Sequence, residues 1–192
     1  MVRNWILLFG IIAVFAIAMV GLTILPKLVV DPRVEAVDYG NTFEIVQGHA
    51  IYVREGCIYC HSMQVRPEGF GADFERGWGR ASEAEDYRNL TPHLLGTMRT
   101  GPDLSNIGSR QPSVDWHMIH LYQPRAVSEG SIMPPYPWLF EVVNETARPN
   151  REGLSLPEEY RIPGKKVIPT DEARYLVAFL LSLNQQVPGM ED

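Results

Sequence analysis

Hydrophobic positions form one unbroken run at the amino end, and beyond it they thin out into helical spacing. From Trp5 to Leu25 the chain reads WILLFGIIAVFAIAMVGLTIL, 21 residues with neither charge nor proline. As a helix this run extends roughly 31 Å, the hydrocarbon thickness of a bilayer. Trp5 suits one interface, and Lys27 with Arg33 the other. The rival reading is a cleaved signal peptide ending near Ala16 and Ala18, but the apolar run continues well past Ala18. The pattern therefore predicts a retained membrane anchor over 1–26. Arg3 before the span and Lys27 and Arg33 after it barely favour either orientation. Gly10, Ala13 and Gly21 fall in a narrow arc interrupted by Ile17, a small-residue face that would let another helix pack closely.

Residues 27–40, with Pro32 and mixed charge, read as a linker. A helix is expected from Asn41, an N-cap residue with Glu44 placed for a capping box, as far as Gly56. From Gly56 to about Pro169, prolines and glycines punctuate a stretch of loops, with one short helix over Ser113–Tyr122. The last helix runs from Asp171, capped by Thr170, to about Leu183. Its Ala173, Leu176, Val177, Leu180 and Leu181 make one buried stripe. No strand-like alternation of useful length is visible. The expected fold is mainly α: one N-terminal transmembrane helix followed by a loop-rich domain over 41–192.

Composition removes several classes of function. The net charge of −6 lacks the basic face that nucleic acid requires. Gly (16) and Pro (15) follow no period, which excludes collagen, and two cysteines cannot make a disulfide scaffold.

Both cysteines lie in Cys57-Ile58-Tyr59-Cys60-His61, the C-x-x-C-H attachment signature of a c-type haem. Two thiols at this spacing can add across the two vinyl groups of one porphyrin, and the adjacent imidazole can reach the iron. Three other uses of the cysteines are weaker. A redox C-x-x-C belongs near a βαβ pattern that is absent here. A disulfide across two residues would close too short a loop to stabilise much. Zinc held by Cys57, Cys60, His117 and His120 would have the wrong spacing. The second axial ligand has several candidates. Met63 is too close to His61 to reach the opposite haem face. Met98 and Met118 are possible, as are His93, His117 and His120. Met133 is best placed, because Pro134, Pro135 and Pro137 stiffen the loop that carries it.

Gly48 and Tyr52 before the motif, and Tyr175 and Phe179 in the last helix, are spaced to let two helices cross closely beside a haem. With these features the chain resembles a class I cytochrome c domain. Thr100-Gly101-Pro102-Asp103-Leu104 looks like that family's proline loop, which implies that the Pro102 carbonyl takes the His61 ring proton. Further segments are similar to the monohaem subunit II, FixO-like, of cbb(3)-type cytochrome c oxidases. They are Arg54 to Ser62, Arg66-Pro67, Gly108-Ser109-Arg110, Asp115-Trp116-His117, His120-Leu121-Tyr122, Pro124-Arg125 and Met133-Pro134 through Trp138. Met63-Gln64 stands in reversed order, and Glu141 to Lys166 has no counterpart in the resemblance.

The resemblance implies one covalently bound haem c, with electrons arriving from a further cytochrome c subunit or a soluble cytochrome c. They would leave to an integral-membrane haem–copper catalytic subunit. It also implies an inner-membrane location with the cytochrome domain on the periplasmic side. The chain would be a non-catalytic electron-transfer subunit, and no acid–base dyad or nucleophile is apparent. An equivalent subunit of a nitric oxide reductase is the alternative, and an open haem for gas sensing or catalysis a further one. Arg66, Arg110 and Arg125 are candidates to neutralise haem propionates, and Trp116 and Trp138 read as core or interface aromatics.

Overall fold

The computed structural model describes residues 2–29, 40–87, 90–96 and 98–185. The amino-terminal run is helical throughout: α1 (Val2–Met19), a π-helical turn (Val20–Ile24) and α2 (Leu25–Val29). Asn4–Val29 is long and apolar enough to cross a bilayer. Pro26 does not end the helix, although it stands at the expected boundary. A proline lacks the N–H for the regular ladder and crowds the carbonyl four residues back. The wide turn just before it is where the helix takes up that defect. Helix therefore continues to Val29, beyond the expected start of the linker. Arg33 and most of that linker lie outside the described residues. Gly10, Ala13 and Gly21 are exposed, and a methyl group built on Gly10 or Gly21 would meet nothing within 4 Å.

The remaining elements assemble around one apolar core. Helix α3 (Phe43–Arg54) is capped by Thr42, whose hydroxyl accepts from the Ile45 amide at 3.4 Å. The expected cap, Asn41, lies one residue outside. With Thr42 as cap the residue three further on is Ile45, so Glu44 makes no capping box. Helices α4 (Ile107–Arg110) and α5 (Val114–Tyr122) follow, α5 capped by Ser113 onto the Trp116 amide at 3.2 Å. Helix α6 (Asp171–Ser182) is capped by Thr170 onto the Ala173 amide at 3.3 Å. Ala173, Leu176, Val177 and Leu180 are buried as their spacing requires, and Phe179 joins them.

The expectation of no strands is overturned. β1 (Phe140–Asn144) pairs antiparallel with β2 (Lys165–Pro169), Phe140 opposite Pro169 and Asn144 opposite Lys165. The pair is anchored by Phe140, Val167 and Ile168, all buried. The Lys166 ammonium ties the connection down, donating to the Arg148 and Arg151 carbonyls at 3.1 and 2.8 Å. Most of the stretch without a counterpart in the resemblance is thus this hairpin.

Helices α3 and α6 cross in close contact. At the rim of the crossing the Arg54 guanidinium donates twice to the Glu172 carboxylate, at 2.8 and 2.7 Å. Arg54 holds the Glu172 pKa below its ordinary value, chiefly through these hydrogen bonds. A depressed carboxylate contributes stability above its unfolded pKa and loses it as pH falls through the folded one. Both partners are about half exposed, so the pair contributes only about 0.5 kcal/mol. Arg54→Ala is expected to cost about that much at pH 7 in urea unfolding. The difference from wild type should fade below about pH 4, where Glu172 begins to protonate in the unfolded chain.

Candidate functional site

Helix α3 delivers the cysteine motif. Gly56, at φ +73°, ends the helix in a left-handed conformation that costs glycine nothing, and the chain turns into a tight 3-10 turn over Cys57–Tyr59. The Cys60 and His61 amides both donate to the Cys57 carbonyl, at 3.1 and 2.9 Å. Cys57 is partly buried, Cys60 is exposed, and both thiols are free. Burial pushes the Cys57 thiol up to about 12, so it keeps its proton at neutral pH.

The ring of His61 is fixed by the proline loop. Its Nδ1 lies 2.7 Å from the Pro102 carbonyl oxygen. A carbonyl only accepts, so Nδ1 carries the proton and Nε2 presents its lone pair. Burial lowers the ring's pKa below its ordinary value and so favours the neutral form, against the hydrogen bond to Pro102, which raises it. Gly101 makes the approach possible, since a Cβ there would stand 2.3 Å from His61 Cε1.

Behind His61 runs a polar frame that no sequence pattern reveals. The buried Asp103 carboxylate accepts from the Ser62 hydroxyl at 2.6 Å, the Gln64 amide at 2.7 Å and the Ser105 amide at 2.8 Å. Arg99 donates to Ser62 at 2.8 Å and to buried Asp73 at 2.5 Å. This frame ties the segment after His61 to the proline loop. Loops carry no period, so only the placement of Asp103 next to Pro102 hints at it.

Met133 and His61 line one cleft of about 350 Å³, together with Cys57, Cys60, Thr100, Gly101 and Tyr136. A second, smaller cavity of about 70 Å³ shares Cys57, His61 and Met133, and adds Tyr52, Pro102, Trp116, His117, His120 and Leu176. The larger cleft alone falls within the usual size of a ligand pocket. The other methionine candidates are elsewhere: Met63 and Met118 are buried in the core, and Met98 is 57% exposed. His93 is exposed, the His117 Nε2 lies 2.8 Å from the Gln111 carbonyl, and His120 stacks on Trp116 with centroids 4.5 Å apart. Among the described residues no three His, Cys, Asp or Glu side chains cluster to hold a metal ion, so the zinc set of Cys57, Cys60, His117 and His120 does not assemble.

The arginines divide. Arg110 is partly buried, donates to the Asp103 carbonyl, and keeps its Nε buried with no partner among the described residues. Arg66 and Arg125 are exposed, and none of the three arginines lines either cavity. Trp138 is an exposed aromatic, bonded through Nε1 to Glu55 at 2.9 Å.

A haem fits these residues. Two thiols, a neutral imidazole and a thioether line adjoining cavities, and the buried Tyr52 hydroxyl and His120 Nδ1 at the smaller one have no partner among the described residues. Buried polar atoms are nearly always paired, so unpaired ones around a cavity mark a missing occupant.

Residues 1–160 match the family model described as cytochrome c oxidase, mono-heme subunit/FixO. The chain belongs to the FixO family. It is therefore a mono-haem subunit of cytochrome c oxidase, associated with that complex. The FixO match gives no support to the nitric oxide reductase alternative, and it extends over β1 and much of the connection after it. Comparison with individual curated proteins gives no match.

Proposed function

We propose that this FixO subunit is a membrane-anchored electron carrier. One haem c is linked covalently through Cys57 and Cys60, and its iron is ligated by His61 and Met133. The observation that carries the reading is the cleft in which the C-x-x-C-H motif and Met133 stand on shared walls. Bound there, haem supplies a reversible one-electron Fe(II)/Fe(III) couple. The protein's residues set how that couple behaves. Pro102 orients the His61 ring and raises its basicity as a ligand. Pro134 and Pro135 stiffen the chain after Met133, so a weak thioether ligand need not be ordered on binding. Arg110, whose buried Nε has no hydrogen-bond partner among the described residues, would be the arginine to meet a propionate. Arg66 and Arg125 would meet a propionate only at the exposed surface.

The helix ending at Val29 serves as the anchor, and the domain from 41 onward carries the haem. The family match beginning at residue 1 supports retention of this helix. Covalent haem attachment takes place on the outer side of the membrane, so the domain faces the periplasm. Electrons enter from another cytochrome c and leave to the haem–copper catalytic subunit.

Met133→Ala tests the ligand assignment. The midpoint potential should fall by a sizeable part of the roughly 0.8 V over which axial ligation moves haem potentials. The ferrous iron should also gain carbon monoxide binding. A redox titration and a carbon monoxide difference spectrum matching wild type would place the sixth ligand elsewhere.

A further inference from the structure

Tyr52 is 0% exposed, and its hydroxyl has no hydrogen-bond partner among the described residues. Burying a phenol without an acceptor costs about 1–3 kcal/mol. Its ring packs edge-on to Phe179, centroids 5.5 Å apart and planes at 63°. For filling the α3–α6 crossing a phenylalanine would serve as well, so the hydroxyl needs another reason. It lines the small cavity with two sulfur-bearing residues, Cys57 and Met133. The other polar groups there are mostly committed, the His61 ring to Pro102 and the His117 ring to Gln111.

We propose that the Tyr52 hydroxyl donates a hydrogen bond to a thioether sulfur of the haem's shell, either Met133 Sδ or Cys57 Sγ once linked, and so raises the reduction potential. This rests on the haem site proposed above. A thioether is a weak acceptor, and a donor aimed at it withdraws electron density that would otherwise favour ferric iron. Tyr52 is thus a positioning and tuning residue, and His61 and Met133 remain the ligands.

The full-length chain, matured with haem and held in mild detergent, is compared as wild type and Tyr52→Phe. Pyridine haemochrome assays give the loading of each, and equilibrium titration gives the midpoint potential. Equal loading with a lower midpoint in Tyr52→Phe is expected. If Met133 is the acceptor, the sulfur–iron charge-transfer band shifts and cyanide binds the ferric iron faster, on the order of threefold for one weak hydrogen bond. If Cys57 is the acceptor, the midpoint falls while band and cyanide rate stay put. Incorporating 3-fluorotyrosine at position 52, a stronger donor in the same ring, should raise the midpoint. An unchanged midpoint in loaded Tyr52→Phe overturns the proposal, as does a fall with the fluorinated ring. So does a shift that vanishes in a His120→Leu background, which would make the unpaired His120 Nδ1 the acceptor. Wild-type protein without haem would refute the haem site itself, a separate failure.

Discussion

Replacing Cys57 and Cys60 together by serine is expected to leave a protein from which acid–acetone extracts all of its haem. Each thioether forms when a thiol adds across a vinyl double bond, sulfur to one carbon and the proton to its neighbour, with no oxidant consumed. Serine has no comparable reactivity, and neither link can form. Each single variant, Cys57→Ser or Cys60→Ser, should keep one link, and its pyridine haemochrome band should sit between those of the doubly linked and free haems. His61 and Met133 line the same cleft irrespective of the cysteines, so the double variant can still grip haem non-covalently. That separates attachment from ligation. Covalent haem surviving in the double variant would mean that another nucleophile holds it, and the motif would lose its proposed role.

The parts of this molecule that read from sequence are those where a period or a fixed spacing carries the physics. The α6 stripe is one: Ala173, Leu176, Val177 and Leu180 are all buried, though Leu181 is only partly so. Phe179 falls beside the stripe yet is fully buried, because it reaches across to Tyr52 on the facing helix. The C-x-x-C-H spacing and the prolines after Met133 mark both segments as candidates in the sequence, and the fold brings them to one cleft. The hairpin is not legible, for identifiable reasons. Its strands are five residues each, and β2 buries the adjacent Val167 and Ile168 and so breaks alternation. The connection from Glu145 to Gly164 also separates the partners too widely for a local turn signal. Asp103 and Arg99 escape because their partners, backbone amides, Ser62 and Asp73, lie in loops, where no spacing rule applies. Among the arginines, sequence supplies charge but not burial, and burial is what distinguishes Arg110 from Arg66 and Arg125.

Gly48→Ala should destabilise the haem domain more than any other single methyl group added to α3. In a solvated helix interior this exchange gains about 0.5–1 kcal/mol from backbone entropy. At Gly48 the added Cβ would lie 1.9 Å from the Tyr175 carbonyl oxygen and 2.6 Å from Phe179 Cβ. The nearer obstacle is backbone in the middle of α6, so no rotamer change relieves it, and the two helices must move apart. Overpacking costs about 1–3 kcal/mol where neighbours can yield, and more where they cannot. The clash therefore outweighs the helix-propensity gain, with a net loss of about 3 kcal/mol expected. Gly48→Leu should prevent stable closure altogether. Separating the helices also loosens Phe179 from Tyr52, which lines the small cavity, so haem retention should fall along with the urea midpoint. Gly10→Ala supplies the contrast, since nothing lies within 4 Å of its new methyl group and the isolated chain should keep its stability. If Gly10→Ala instead weakened recovery of the assembled oxidase, the small-residue face of the anchor would be packing against another helix. Equal urea midpoints for Gly48→Ala and wild type would mean that α3 and α6 do not approach this closely.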